Sequence, residues 1–265
     1  MNLLIINFFK MKRISLFFVA MCMMLSVTVA QSVWDGTHTI WTNGSGTETD
    51  PYLLENAAQL AYLAVYVNNG TEAVGHVVGV GKYWKLTADV DLNSLEWTPI
   101  GYYESQTNHY EFGGNFDGNW HTVANLVVSG VQYAGLFGRM NGGSMKNIGI
   151  IGNSSVSSSA DLNSIAGGIV GCTFGSVIIE NCYNTGDITI ATISGGIVGH
   201  SSDNLSINNC YNTGNVSSSD YAGGIVGNTY THTYSGTLII NNCYNTGGIS
   251  IVSLYPDSYA GGIVG

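Results

Sequence analysis

The sequence predicts an all-β protein: a parallel β-helix, with one short helix capping its N-terminal end. Three observations carry that expectation. Two hexapeptide blocks recur along the C-terminal half at nearly constant spacing. The residues between them are strand and turn formers. A single segment near the N-terminus has helical periodicity.

The repeat is the strongest of these, because self-similarity at a fixed period fixes architecture. AGGIVG begins at Ala166, recurs as SGGIVG at Ser194, and returns at Ala222 and Ala260, in steps of 28, 28 and 38 residues. NCYNTG begins at Asn181, Asn209 and Asn242, in steps of 28 and 33. The extra residues fall in two places, Thr229–Gly236 and Leu254–Asp257, as loops on a repeated frame would. A diverged copy stands upstream, with Ala134–Gly138 in the place of AGGIVG and Met145–Ile148 in the place of Ile179–Cys182. Runs such as Ser176–Glu180 and Gly236–Ile240 read as short strands, and Asn-Thr-Gly reads as a turn. Gly-Gly before Ile-Val permits a tight corner or a close backbone approach. Several short strands per 28 residues describe one rung of a parallel β-helix, with rungs stacked about 4.8 Å apart. A β-propeller is the rival, but its blades need about 40 residues. The last block stops on Ile263-Val264-Gly265 without a capping repeat, so a longer protein is expected.

Ahead of the repeats, residues 55–68 are expected to be helical. Leu60, Leu63, Ala64 and Val67 fall on one face, and Asn69-Gly70 supplies the stop. Tyr83–Leu92 and Glu111–Asn119 alternate and break at turn residues, as early rungs should. The N-terminus has the form of an export signal. Lys10, Lys12 and Arg13 precede the uncharged stretch Ile14–Ala30, with Thr28-Val29-Ala30 as a cleavage site. Translation from Met11 would explain the apolar residues 1–10, and a retained signal anchor is the alternative. The expected organisation is 1–30 signal peptide, 31–80 cap region, 81–130 first rungs and 131–265 repeats.

Composition excludes several functions. Only 9% of the 265 residues are charged, against about 25% in an ordinary soluble domain. Beyond residue 30 four basic residues, Lys82, Lys85, Arg139 and Lys146, face 17 acidic ones. No Lys or Arg follows Lys146. Such a surface repels nucleic acid and anionic lipid. No second apolar run is long enough to span a bilayer.

These residues resemble bacterial cell-surface proteins of the GLUG-motif group, a glycine–hydrophobic–hydrophobic–glycine repeat. GLFG at Gly135–Gly138 fits it, as does GIVG at Gly168–Gly171, Gly196–Gly199, Gly224–Gly227 and Gly262–Gly265. The leading part is similar to such proteins from Bacteroides-like bacteria, in the opening at Gly44–Thr47, DPYLLENAAQLAYLA, ADVDLN, EWTPIG and FDGNWHTV. In the last segment Trp120 stands where a glycine is usual. The resemblance covers residues 34–265. It implies an exported, adhesin-like β-helix displayed at the cell surface or outer-membrane exterior. Some relatives carry a metallopeptidase, but this chain has no His-Glu-x-x-His.

Candidate sites divide into ladders and a stripe. Cys182, Cys210 and Cys243 share a repeat position and are expected to stack as a buried small-apolar ladder. Cys172 is a fourth thiol outside it. A disulfide or a thiolate metal site is disfavoured by in-register geometry and by the lack of a Cys-x-x-Cys pair. Asn184, Asn212 and Asn245, and likewise Asn181, Asn209 and Asn242, are expected to be structural ladders that cap turns or bond to the next rung. Tyr183, Tyr211 and Tyr244 form a stripe. Strand alternation turns it outward if Cys182 faces in. Inward it would be core; outward it would offer a platform for sugar rings.

Catalysis is not expected. Asp89, Asp91, Glu96, Asp117 and Asp161 are the available carboxylates, and Asp89 with Asp91 share a strand face. The pair would be at best a weak calcium ligand set, since calcium takes six to eight oxygens. No cofactor is otherwise implied. The histidines 38, 76, 109, 121, 200 and 232 lack ligand spacing. The expected function is surface adhesion, or extracellular binding of a glycan or another protein. The alternatives are a polysaccharide-degrading β-helix enzyme (glycoside hydrolase or lyase) and a structural spacer for a further C-terminal module.

Overall fold

A computed structural model describes residues 32–159, 163–189, 191–229, 236–252 and 257–265. The export segment, Asp161, His232 and most of both loop insertions lie outside the described residues. The chain winds as a parallel β-solenoid whose rungs each carry up to five short strands. One rung runs Ile165–Gly167, Val170–Phe174, Ser176–Glu180, Tyr183–Asn184 and Asp187–Thr189, then starts again at Ile193–Gly195. We call the strand columns through these five segments I to V. Within each column neighbouring rungs pair in parallel, in register apart from a shift between Val128 and Val131 in column V. The exception is Tyr102–Tyr103, which pairs antiparallel to His109–Phe112 of column II.

Alternation builds the core. In Ser176–Glu180 the side chains of Val177 and Ile179 are buried, while Ser176 and Ile178 face out. Their register partners are Leu205 and Ile207 one rung on. Each such side chain contributes roughly 1.5–3 kcal/mol on burial. The repeated GGIVG block turns the corner from column I to column II. Its isoleucines, Ile169, Ile197 and Ile225, point inward with no exposure. A Cβ on Gly167 would lie 2.0 Å from the Val170 carbonyl oxygen and 2.6 Å from the Gly199 nitrogen. The glycine is therefore demanded by backbone approach at the corner.

After column III the chain enters a left-handed residue at Asn147, Asn181, Asn209 and Asn242, with φ between 52 and 56°. Asparagine tolerates this conformation better than other chiral residues. The four side chains form an outer chain of hydrogen bonds that ends on Asp117. Asn147 Nδ2 donates to Asp117 at 2.9 Å, Asn181 to Asn147 at 2.9 Å, and Asn209 to Asn181 and Asn242 to Asn209 at 3.2 Å each. Trp120 also has φ +67°, and it is 72% exposed, so a bulky residue occupies a conformation suited to glycine.

The helix α1 spans Ala57–Asn68. It starts two residues later than the periodicity indicates, because the Asn56 side chain caps it by accepting from the Gln59 N–H. Leu60, Leu63, Ala64 and Val67 are buried as expected. Tyr62 and Tyr66 from α1 meet Trp41 edge-on, and Trp41 in turn meets Trp84 of column III. The stack also begins earlier than residue 81. Tyr52–Leu54 pairs in parallel with Tyr83–Leu86, and Ser32–Val33 with Val90–Asp91. Residues 31–80 therefore hold both the helix and strands of the solenoid. No helix among the described residues is long and apolar enough to cross a membrane.

Candidate functional site

The NCYNTG block distributes its residues over three environments. Cys182 and Cys210 are buried and Cys243 half-buried, in one column. Cys210 and Cys243 each accept from the previous rung: Cys182 N–H donates to Cys210 Sγ, and Cys210 N–H to Cys243 Sγ, both at 3.4 Å. The thiols donate to carbonyls of their own rungs, Cys182 to Glu180 at 3.1 Å and Cys210 to Asn208 at 3.3 Å. All four described cysteines are free thiols. Asn184 and Asn212 are fully buried. Each side chain donates to the glycine carbonyl two residues on, at 2.7 Å, and to the next asparagine of its column. The buried polar ladder is thereby satisfied.

Tyr183, Tyr211 and Tyr244 face outward. Their rings stack face to face, with centroids 4.8 and 5.0 Å apart and planes within 3°. The inner face of Tyr183 lies on Gly149, where a Cβ would come 2.1 Å from the ring. The ring faces are consequently taken by one another and by Gly149, except for the outer face of Tyr244. The column offers solvent its ring edges and hydroxyls. Burial and the Asp89 charge push the Tyr183 phenol pKa up.

Among the described residues, the carboxylates considered for chemistry are engaged in hydrogen bonds that hold loops and turns. Asp89 Oδ1 accepts the Thr122 N–H at 2.8 Å and lies 3.3 Å from His121 Nδ1. Asp91 Oδ1 accepts from Asn93 N–H and Asn125 Nδ2, both at 2.8 Å. Glu96 accepts the Ser129 N–H at 2.6 Å. Among the described residues no three His, Cys, Asp or Glu side chains are grouped to hold a metal ion.

The corner between columns I and II forms a feature that sequence inspection missed: a groove of about 470 Å³ running along the stack. One wall carries one residue per rung, Tyr133, Ile165, Ile193 and Tyr221, which are register partners. The other carries Cys172 and His200, also partners, with Phe174 beside them. Gln132, Asn163, Thr192 and Asp220 supply polar groups along the rim. Beside Tyr133 and Phe174 of the groove lies a buried ion pair. Arg139 Nη2 donates to Glu111, whose other oxygen accepts from Asn141 at 2.7 Å. The guanidinium lies 4.5, 4.8 and 5.1 Å from the ring centres of Phe174, Tyr133 and Tyr103, a cation–π enclosure. Burial pushes the Cys172 thiol up to about 12, so it stands in the groove protonated. The only sequence signal for this wall was the aromatic or branched residue just before each AGG or SGG block. A larger cavity, about 540 Å³, lies between α1, Trp34 and Trp97, and is built from residues outside the repeats.

No family model matches the chain. It is similar to a Gly-rich membrane protein, provisionally so named, of Evansella cellulosilytica, with 27% identity over 134 residues. It is also similar to halomucin of Haloquadratum walsbyi, with 30% identity over 156 residues. These alignments take in 47% and 55% of this chain but only 14% and 2% of the two relatives. Among solved structures, a Bacteroides ovatus protein provisionally named an immunoglobulin A1 protease superposes with a TM-score of 0.57 at 23% identity. That match covers 85% of this chain and 74% of the other, and at such identity it shows a shared β-solenoid fold.

Proposed function

We propose that this chain is an exported, surface-displayed scaffold that binds an extended glycan strand in the groove between columns I and II. The observation that carries the reading is the groove itself. Its walls repeat at every rung, so a ligand that repeats along its own length meets similar contacts in succession. From Tyr133 to Tyr221 is three rung steps, roughly 14 Å. Aromatic and aliphatic side chains offer an apolar platform to sugar faces, and Gln132, Asn163, Thr192 and Asp220 offer hydrogen-bond partners to hydroxyls. The names of the two relatives, a membrane protein and halomucin, favour surface display, as does the GLUG resemblance. The tyrosine stripe is a weaker platform, because its ring faces are stacked on one another.

A glycan array read with wild type, Tyr221→Ala, Asp220→Ala and Tyr211→Ala tests the reading. Retention of a polysaccharide that falls at least about tenfold in the first two variants, and stays level in Tyr211→Ala, supports it. Loss in Tyr211→Ala alone would move the ligand to the stripe. Product release would make the chain a polysaccharide-degrading enzyme. Absence of any retained glycan would favour the spacer.

A further inference from the structure

The solenoid holds its rungs together without disulfides among its described cysteines, all of which are free thiols. Cys182 and Cys210 are buried with their Sγ atoms in hydrogen bonds, and Cys172 is buried in the groove wall. The phenols are arranged in the opposite way. Tyr183, Tyr211 and Tyr244 sit on three successive rungs, outside the barrel, as register partners, with ring planes within 3°. Tyr244 is 51% exposed and Tyr183 and Tyr211 are half-buried, so an oxidant can reach the column. The stack places like carbon atoms of adjacent rings about one strand spacing apart.

We propose that the column Tyr183–Tyr211–Tyr244 is a site of oxidative cross-linking, where a one-electron oxidant of the peroxidase–hydrogen peroxide class joins adjacent rungs through dityrosine. Each of two neighbouring phenols gives up one electron and its hydroxyl proton, leaving two tyrosyl radicals. The radicals couple through the carbons ortho to oxygen, forming one carbon–carbon bond, and the two ortho hydrogens return to the oxygens as the rings regain aromaticity. The net loss is two protons and two electrons, which reduce one hydrogen peroxide to two waters. Radical pairing requires adjacency, so the column allows Tyr183–Tyr211 and Tyr211–Tyr244 bonds and forbids Tyr183–Tyr244. The Tyr211–Tyr244 pair is the freer to rearrange, because no ring covers the outer face of Tyr244, whereas Tyr183 is seated on Gly149. Tyr221 and Tyr259, stacked at 5.6 Å and 12°, form a second pair of the same kind on column I. The cross-link would fasten one rung of an extracellular scaffold to the next with a bond that reducing agents do not open.

The test is oxidation of the dilute full chain with a haem peroxidase and hydrogen peroxide, read by dityrosine fluorescence, by gel mobility and by peptide mapping. The expected result is monomeric product with links at Tyr183–Tyr211 or Tyr211–Tyr244, and a raised Tm. Tyr211→Phe keeps the stack and removes the phenol that both links share, so the mapped links of this column disappear. Tyr183→Phe and Tyr244→Phe each abolish one link and leave the other. Dityrosine found only in dimers, a Tyr183–Tyr244 link, links confined to other tyrosines, or no dityrosine under conditions that couple free N-acetyltyrosine would each overturn the proposal.

Discussion

Asn184 donates its side-chain amide to Oδ1 of Asn212 across 2.9 Å, with both side chains wholly excluded from water. Two buried amides on consecutive rungs thus satisfy each other within the core. Asn212 also donates to the Gly214 carbonyl at 2.7 Å and to Asn245 at 2.8 Å. Asn212→Ala therefore orphans groups on three rungs and is expected to cost at least about 2 kcal/mol. Asn212→Asp removes both donated bonds and buries a carboxylate, so it falls further. Urea unfolding of the two variants checks the order.

The glycines of the corner separate by their neighbours. A Cβ on Gly196 would lie 2.2 Å from the Gly224 carbonyl oxygen and 2.5 Å from Asn212 Cγ. Gly262, at the same repeat position, has nothing within 4 Å. Gly196→Ala is expected to lower Tm by several degrees or abolish folding, and Gly262→Ala to leave Tm within about 2 °C of wild type. Thermal melts of the pair make the comparison.

Trp120 sits at φ +67° and buries little. Removing its Cβ relieves a left-handed conformation that costs a chiral residue about 1–2 kcal/mol. The greater freedom of glycine in the unfolded chain takes back part of that gain. Trp120→Gly is expected to stabilise the protein by about 0.5–1 kcal/mol, measured as a higher urea midpoint at unchanged m-value.

The ion pair Arg139–Glu111 is enclosed by three aromatic rings. Arg139→Met or Glu111→Gln alone strands a buried partner and is expected to cost about 3–5 kcal/mol. The double variant is expected to lose less than the sum, and a double-mutant cycle reads the difference.

Cys172 gives stability an alkaline limit. Burial raises its thiol from 9.0 to about 12. Below pH 9 both folded and unfolded chains keep the proton, and the contribution is intact. Above it the unfolded chain ionises first, so stability falls as pH rises from 9 to about 12. Cys172→Ala is expected to make that fall shallower, checked by urea midpoints on the two sides of pH 9.

Sequence spacing revealed what repeats and hid what does not. The repeated block, in steps of 28 and 33 residues, put Cys182, Cys210 and Cys243 at one repeat position, and in-register stacking keeps that position in one column. Strand alternation turned Tyr183 outward on the condition that Cys182 faces in, yet it carried no sign that the rings would lie face to face. The groove escaped because its walls come from opposite sides of the glycine corner, and no spacing rule joins Ile193 to His200. Arg139 escaped because it stands in the diverged copy, with no counterpart at Cys172 or His200. The strands Ser32–Val33 and Tyr52–Leu54 are two and three residues long, too short for alternation to show.

The outer and inner asparagine chains point in opposite directions. From Asn242 through Asn209 and Asn181 to Asn147, every amide donates toward the N-terminal end and finishes on the Asp117 carboxylate. From Asn184 through Asn212 to Asn245, every amide donates toward the C-terminal end. Turning over any single amide would set donor against donor, so each chain reverses as a whole or not at all. In the outer chain Asp117 can only accept, which forbids the reversed state outright. One fixed charge thereby orients four dipoles over roughly 19 Å, handing a direction from rung to rung like a row of compass needles held by one magnet.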